Sequence, residues 1–486
     1  MKALLINPPF PDTFWGYRYL PPLMKKKAVA PPLGLLTFAS MLPENWDKKM
    51  ADMNVSPLNE IDISNSDIVF ITGMSIQKKE ILSVISQCKR LNKKIVCGGW
   101  AFTISPEDFN DADCLILNES ETTLKEFIKD LLNGTLKKVY KTQLKPEMDT
   151  VPVPAWSLIN PKDYHEIQIQ FSRGCPYKCD FCNVASFNGN QMRVKSPSQV
   201  ITELQAIFQT GWQGTIFVVD DNINGNPTAL KAILEEVVLW QKKNNFPFRF
   251  YVQASINCGK IPGLVELMRD ANFYCVFLGI ETPHLPSLLE CNKTQNNIID
   301  ISAIIERFQK NGIMVISGAI VGFDNDPPDI AQKQIDFITN NNIVLATISM
   351  LEAKPNTELW CRLSAENRLN PDPLDGFLPN FKTKLGNNLI EKYYQQINNE
   401  IYNSPAKYYK RINHLFNILT PTNRQKLERS YVIKGALSML IFSSSRTFFL
   451  ITLIKTLLTK KRLLFLFIEL SVKEVHFKKF TQKRVL

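Results

Sequence analysis

Three cysteines, Cys175, Cys179 and Cys182, lie in the run Ser172–Arg173–Gly174–Cys175–Pro176–Tyr177–Lys178–Cys179–Asp180–Phe181–Cys182, with C-x3-C-x2-C spacing. Thiolates this close in sequence can surround one metal centre, and no fourth cysteine or histidine lies nearby. A structural zinc site closes with a fourth ligand, which Cys258 or His165 could supply only through the fold. An iron–sulfur cluster held by three cysteines, with one iron left open, fits this donor set better, although many clusters have four thiolate ligands. No Ser/His/Asp arrangement or paired carboxylates are evident elsewhere.

The elements that must hold such a loop can be read from short apolar runs. Residues 2–7, 68–73, 94–99 and 114–117, separated by helix-length stretches such as 77–92, give a parallel α/β pattern. Polar or glycine-bearing loops follow these strands at Asn7–Pro8–Pro9, Gly73–Met74–Ser75 and Gly98–Gly99. In open α/β sheets, ligands bind beyond the carboxyl ends of the strands. Four prolines in 143–165 mark a linker. The alternation then restarts with strands expected at 166–171, 214–219, 248–254, 275–280, 313–321 and 344–350, and helices at 197–210, 227–243, 261–271, 297–311 and 329–340. That pattern predicts a partial or full β/α barrel with its chemistry at the strand C-termini, the first of which leads into the cysteine loop. The expected layout is an α/β domain over 1–142, the linker 143–165, a barrel over 166–365 and a basic helical domain over 366–486.

Composition excludes other classes. The 486-residue chain is 45% apolar and 21% charged, ordinary for a globular protein and unlike a disordered or fibrous one. Its net charge of +11 is local. Residues 401–486 hold 17 basic and 3 acidic side chains, whereas residues 1–400 hold 40 and 43. A basic groove for a nucleic-acid backbone is therefore not expected in the first 400 residues, whereas an attachment surface near the C-terminus is. The start, MKALLINPPF, reads unlike a signal peptide, which places the protein in the cytoplasm, where ten cysteines would stay reduced. Seven of them are scattered and read as buried small hydrophobes. Segments 435–442, 448–458 and 463–470 are strongly apolar, but Arg446, Lys455 and Lys460–Lys461–Arg462 interrupt them before a membrane span accumulates. Two readings stay open: core helices with a solvated basic edge, or contact with an anionic membrane surface or lipid substrate.

With Phe181 in the aromatic place, the cysteine loop resembles that of the radical S-adenosylmethionine enzymes, a superfamily whose C-x3-C-x-aromatic-C loop sits on a partial β/α barrel. The resemblance implies that Cys175, Cys179 and Cys182 hold a [4Fe–4S] cluster whose open iron chelates S-adenosylmethionine for reductive cleavage. It further implies cofactor contacts at Phe181, at Asp220 and Asp221 after the second strand, and at Gln253 and Ser255 after the third. Glu281 after the fourth strand and the Gly318–Gly322 segment complete the set. The first domain, together with Pro31–Pro32–Leu33–Gly34–Leu35, looks like a cobalamin-binding domain, with contacts implied at Gly73, Ser75, Gln77, Gly98 and Gly99.

Asp52–Met53–Asn54–Val55, Gly73–Met74–Ser75–Ile76–Gln77, Glu281–Thr282–Pro283 and Glu290–Cys291–Asn292–Lys293 resemble the branch that carries a C-terminal helical domain. That branch includes hopanoid C-2 methylases and bacteriochlorophyll side-chain methyltransferases. The D-x-H-x-x-G pattern that supplies a histidine to cobalt is not met, because Asn54 and Pro57 replace His and Gly and no histidine lies in residues 1–164. The activity implied is cobalamin-dependent methyl transfer to an unactivated carbon of a hydrophobic small molecule, a lipid or pigment. It would be fed by a reductant protein such as flavodoxin or ferredoxin, on a protein peripheral to the inner membrane face. A radical cyclisation or rearrangement without methyl transfer is the alternative, and a non-catalytic cobalamin or iron–sulfur sensor a third.

Overall fold

The structure is a computed structural model that describes all residues except 14, 15, 18, 25, 298, 299, 371–377, 421–428 and 484–486. Two compact units emerge, residues 1–169 with 198–213, and residues 170–197 with 214–486.

In the first unit, β1 (Lys2–Asn7), β2 (Asp47–Asp52), β3 (Ile68–Thr72), β4 (Lys94–Gly98), β5 (Cys114–Ile116) and β6 (Val139–Tyr140) form a sheet in the order β2-β1-β3-β4-β5-β6. Every neighbouring pair is parallel. Alternate side chains feed two cores: Leu4, Ile6, Val69, Ile71, Ile95 and Cys97 on one face, and Ala3, Leu5, Ile68, Phe70, Val96 and Cys114 on the other. Two-sided burial is why these strands read as continuous apolar runs. Helix Lys78–Arg90 buries Ile81, Val84, Ile85 and Cys88, the stripe expected of a helix lying on a sheet. The strand order reverses at β1, and at such a reversal open α/β sheets bind ligands beyond the strand C-termini. Strand β2 was not legible as an apolar run: it reads DKKMAD and lies at the sheet edge with mostly half-exposed residues.

The expected strand 166–171 forms as β7 (Ile167–Ile169). In the second unit, β8 (Ser172–Arg173) and β9 (Arg193–Val194) pair antiparallel and bracket the cysteine loop. Strands β10 (Gly214–Val218), β11 (Phe248–Ala254), β12 (Phe273–Glu281), β13 (Met314–Val321) and β14 (Leu345–Met350) then run parallel in sequential order. Helices Pro227–Lys243, Leu264–Asp270, Ile301–Lys310 and Ile330–Asn340 connect them, giving the partial β/α barrel. One sheet face is closed against these helices by Ile216, Val218, Phe250, Val252, Val276 and Leu278, all buried. On the other face Phe217 stacks on Tyr251 with ring centroids 4.4 Å apart.

Helices Asn387–Tyr402, Pro405–Ile418, Arg429–Phe442, Arg446–Thr459 and Leu464–Lys483 form the C-terminal helical part. The last is core: Phe467, Ile468, Leu470 and Val472 are fully buried. A buried polar knot fastens it to the beginnings of β11 and β12. Arg249 reaches Glu469 Oε2 at 2.9 Å, and Lys473 and the Tyr274 hydroxyl donate to Glu469 Oε1 at 2.8 and 3.2 Å. The Arg249 guanidinium also lies 4.1 Å from the Tyr274 ring centroid and 4.2 Å from that of Phe465. No helix among the described residues is long and apolar enough to cross a membrane.

Candidate functional site

The cysteine loop begins with a turn that only glycine fits. Gly174 has φ +98°, and a Cβ there would stand 2.6 Å from the Gln191 carbonyl oxygen. Cys175 N–H donates to the Gly189 carbonyl at 3.2 Å and Cys182 N–H to the Cys179 carbonyl at 2.9 Å, folding the loop back on itself. All three thiols are part-exposed. Two of them meet side-chain N–H donors, Asn222 Nδ2 at 3.8 Å from Cys175 Sγ and Gln295 Nε2 at 3.3 Å from Cys179 Sγ. Burial pushes the Cys175 and Cys182 thiols up, opposed by the backbone N–H groups of Tyr177 and Val184. Coordination to iron would deprotonate such thiols, and N–H donors to sulfur are what a cluster's thiolates accept. The donor set therefore fits an iron–sulfur cluster. Among the described residues no three His, Cys, Asp or Glu gather as a single metal ion requires, whereas a cluster carries each thiolate on its own iron. Cys258 is fully buried with its thiol 3.9 Å from Met268 Sδ. Of the seven scattered cysteines six are buried, and Cys361 is exposed.

The ends of β10 and β11 tie back to this loop. Asp220 is fully buried, and its carboxylate accepts Phe171 N–H at 2.7 Å and the Ser172 hydroxyl at 2.5 Å. It thus fixes the strand that enters the loop, and burial pushes its pKa up to about 7. Asp221 accepts Asn188 Nδ2 at 2.7 Å from the loop's far side. Ser255 donates its backbone N–H to Asn222 and Asn224, both at 3.0 Å. Asn224 Nδ2 in turn donates to Asn257 at 3.0 Å, and Asn257 Nδ2 to the Tyr177 hydroxyl at 2.7 Å. Gln253 is exposed at the end of β11. Asn224 and Tyr177 were not singled out from the sequence, although Tyr177 lies inside the motif and could have been.

Glu281 ends β12 with φ +65°, next to a register shift against β13. A non-glycine residue in this backbone region stores strain that only a specified surrounding sustains. The carboxylate lies over two glycines: a Cβ on Gly279 would stand 2.8 Å from its Oε1, and one on Gly318 3.0 Å from its Oε2. Lys293 donates to it at 2.6 Å and lies 5.6 Å from the Phe181 ring centroid. Burial works against the Lys293 charge, but Glu281 and Cys179 outweigh it and push its pKa up to about 12. Glu281, Lys293, Gly318 and Phe181 thus form one assembly. Gln295 and Asn296 follow Lys293, each with a buried side-chain oxygen that has no hydrogen-bond partner. Such orphaned acceptors beside a thiol suit a bound polar group. Lys293, quoted from the sequence only within the Glu290–Lys293 resemblance, and Gln295, in the 3-10 turn Thr294–Asn296, were missed as site residues because so short a stretch carries no periodic signal.

At the strand C-termini of the first unit lies a second set. Asp52 accepts Asn7 Nδ2 at 3.0 Å, Asn54 Nδ2 at 2.8 Å and the Tyr164 hydroxyl at 2.9 Å, while Asn54 Oδ1 accepts Phe10 N–H at 2.8 Å. Gln77 is buried, donating to the Pro8 carbonyl at 2.7 Å and accepting Met74 N–H at 2.9 Å. Gly73, Gly98 and Gly99 end β3 and β4. Gly99 has φ +111°, and a Cβ there would stand 2.8 Å from Thr72 Oγ1. Ser75, Phe10, Met74 and Ile76 are exposed. This donor set fits a large cofactor held by backbone and apolar contacts, and offers no imidazole to a metal.

Residues 169–338 match the radical SAM superfamily. The chain is 36% identical over 406 residues to an uncharacterized methyltransferase of Synechocystis, covering 81% of this chain and 76% of that one. It is 33% identical over 376 residues to the hopanoid C-2 methylase of Rhodopseudomonas palustris, covering 76% and 71%. The chain belongs to the radical S-adenosylmethionine superfamily. It is therefore an enzyme of the class that works with a [4Fe–4S] cluster and S-adenosylmethionine. Within the superfamily it falls in the branch of hopanoid C-2 methylase, which also includes a bacteriochlorophyllide methyltransferase. Residues 357–485 match a domain of unknown function, DUF4070. The fold is shared with the cobalamin-dependent S-adenosylmethionine radical enzyme OxsB at TM-score 0.64 and 17% identity, over 100% of this chain and 80% of that one.

Proposed function

We propose that this radical S-adenosylmethionine enzyme is a cobalamin-dependent methyltransferase that acts on an unactivated carbon of a hydrophobic small molecule, a polycyclic lipid or pigment. The observation that carries the reading is the 33% identity to hopanoid C-2 methylase over 76% of this chain. In this reading residues 1–142 bind cobalamin, 143–165 link, 166–365 form the radical barrel and 366–486 the helical domain. When bound, the cluster supplies an electron for cleavage of S-adenosylmethionine, and cobalamin supplies the methyl group.

Cys175, Cys179 and Cys182 hold the cluster, with Asn222 and Gln295 donating to its thiolates. Phe181, Ser255, Glu281 and Gly318 shape the S-adenosylmethionine site, with Gln253 exposed at its rim. Asp220 and Asp221 hold the loop rigid, and Lys293 fixes the Glu281 carboxylate. Gly73, Ser75, Gln77, Gly98 and Gly99 form the cobalamin crevice, where Asn54 braces the loop after β1. A flavodoxin or ferredoxin supplies electrons, and the protein works in the cytoplasm at the inner membrane face, where an apolar substrate resides.

Asn54 favours one second reading, radical cyclisation or rearrangement without methyl transfer, because it stands where the histidine for cobalt would be and residues 1–164 hold none. Anaerobic purification from cells supplied with cobalamin, with iron, sulfide and cobalt counted per chain, tests both. Cobalt retained beside the cluster, and a product heavier by one methylene unit, is the expected result. An intact cluster without cobalt, and a product that only loses or shifts hydrogens, overturns methyl transfer in favour of rearrangement.

A further inference from the structure

Helix Arg446–Thr459 is inside out. Its buried stripe is Phe449, Thr452 and Thr456, the two threonines each 3% exposed, while Ile451, Ile454 and Leu458 on its outer side are 62%, 56% and 77% exposed. A helix that answers only to water and a protein core turns its large aliphatic residues inward and its threonines outward. The preceding helix, Arg429–Phe442, adds Ile433, Leu437 and Ile441, an exposed stripe at four-residue spacing, opposite the buried Met439. The turn between these helices is fastened to the core: the Ser445 hydroxyl donates to Glu474 at 2.5 Å, and Lys478 donates to Ser444 at 2.8 Å. Phe449 also stacks on Phe467 of the last helix at 5.3 Å. The aliphatic face is thus held outward by a built framework, and its exposed residues recur at helical spacing along each helix rather than singly.

Charge selects the occupant. Residues 429–468 carry seven Lys or Arg and no Asp or Glu. Lys455 and Lys461 are exposed beside the aliphatic stripe. Each of the two helices has 14 residues, so each is about 21 Å long, short of the roughly 30 Å hydrocarbon core. Aliphatic residues flanked by cations on a short helix suit the interfacial plane of an anionic bilayer.

We infer that the Ile451–Ile454–Leu458 face of helix Arg446–Thr459, extended by Ile433, Leu437 and Ile441, seats the protein on an anionic lipid bilayer. The inference deepens the membrane contact proposed above and is independent of which substrate is methylated. It also resolves the C-terminal apolar segments: 463–470 is core, whereas 448–458 is a docking face.

The test is co-sedimentation of the full chain with phosphatidylglycerol–phosphatidylcholine vesicles and with pure phosphatidylcholine vesicles, for three proteins. Wild type should partition onto the anionic vesicles at least about tenfold more strongly than onto the neutral ones. Ile451→Ser/Ile454→Ser/Leu458→Ser should weaken anionic-vesicle binding by about tenfold or more while keeping the wild-type circular dichroism. Lys455→Gln/Lys460→Gln/Lys461→Gln should lose the preference for anionic lipid, an independent readout if the serine variant fails to fold. Equal binding by all three proteins overturns the inference, as does wild-type protein that stays in the supernatant. A wild-type dimer that the serine variant dissolves, with no vesicle binding, assigns the face to a second copy instead. The measurement needs neither cofactor nor substrate, so failure of methyl transfer leaves it standing. Failure to bind vesicles likewise leaves methylation of a detergent-dispersed substrate to be judged on its own.

Discussion

Lys293 and Glu281 form a buried ion pair at 2.6 Å, their side chains 10% and 11% exposed. The pair sits where β12 ends in a left-handed residue, with the lysine facing Phe181 of the cysteine loop. A strained strand end is thereby linked to the loop that carries the three thiols. Removing one partner of such a pair leaves the other charge buried and uncompensated. Lys293→Met should cost about 3–5 kcal/mol of stability, and Glu281→Gln in the same chain should recover part of it. Denaturant unfolding of the single and double variants measures the difference.

Cys175→Ser, Cys179→Ser and Cys182→Ser, singly or together, should leave the β/α units folded, because the three thiols are part-exposed and belong to no hydrophobic core. Bound iron should fall to background, and 5′-deoxyadenosine should no longer form when reductant and S-adenosylmethionine are supplied. Elemental analysis and chromatography of the anaerobic reaction read both. Full cleavage by the triple variant would remove the cluster assignment.

Asp220 gives a pH signature. Burial lifts its pKa from 3.8 to about 7, so between these values the folded state holds a proton that the unfolded chain has released. Stability from this group is present below about pH 4, falls as pH rises, and levels off above about 7, a span of roughly 4 kcal/mol at most. Asp220→Asn mimics the protonated form and should remove that slope. Unfolding midpoints of the two proteins, compared across this range, should follow one another at low pH and diverge towards neutrality, where the wild type has lost the contribution and the variant has not.

Asn54→Ala removes the acceptor for Phe10 N–H and one of four donors to Asp52. It should cost about 1–2 kcal/mol, because Phe10 N–H is part of the loop that follows β1. Cobalt retained per chain should fall with it, since the same loop borders the proposed crevice. Undiminished cobalt with reduced stability would place cobalamin elsewhere.

The cysteine loop was legible because its chemistry is local: ligand type, spacing and Phe181 all lie within eleven consecutive residues. The strands of both units were legible where they are buried on two faces, since burial forces an unbroken apolar run. β2, an edge strand with the sequence DKKMAD, left no such trace. Gln295, in the 3-10 turn Thr294–Asn296, was equally silent because three residues carry no periodicity, and Lys293, though inside the Glu290–Lys293 stretch that carries the resemblance, had nothing beside it in sequence to mark it as the partner of Glu281.

What the sequence determined by itself was therefore the donor set, the order of the strands buried on two faces, and the location of the excess positive charge, all properties of residue type and spacing. Tertiary structure alone decided which groups are available. It turned the Asp220 carboxylate inward to Phe171 and Ser172, engaged Gln77 with Pro8 and Met74, and paired Glu281 with a lysine twelve residues away. It also separated two C-terminal segments of similar composition, burying Phe467 and Leu470 while leaving Ile451 and Leu458 outside. Hydropathy measures how strongly a side chain avoids water, and only packing decides which of the competing apolar faces the core has room to cover.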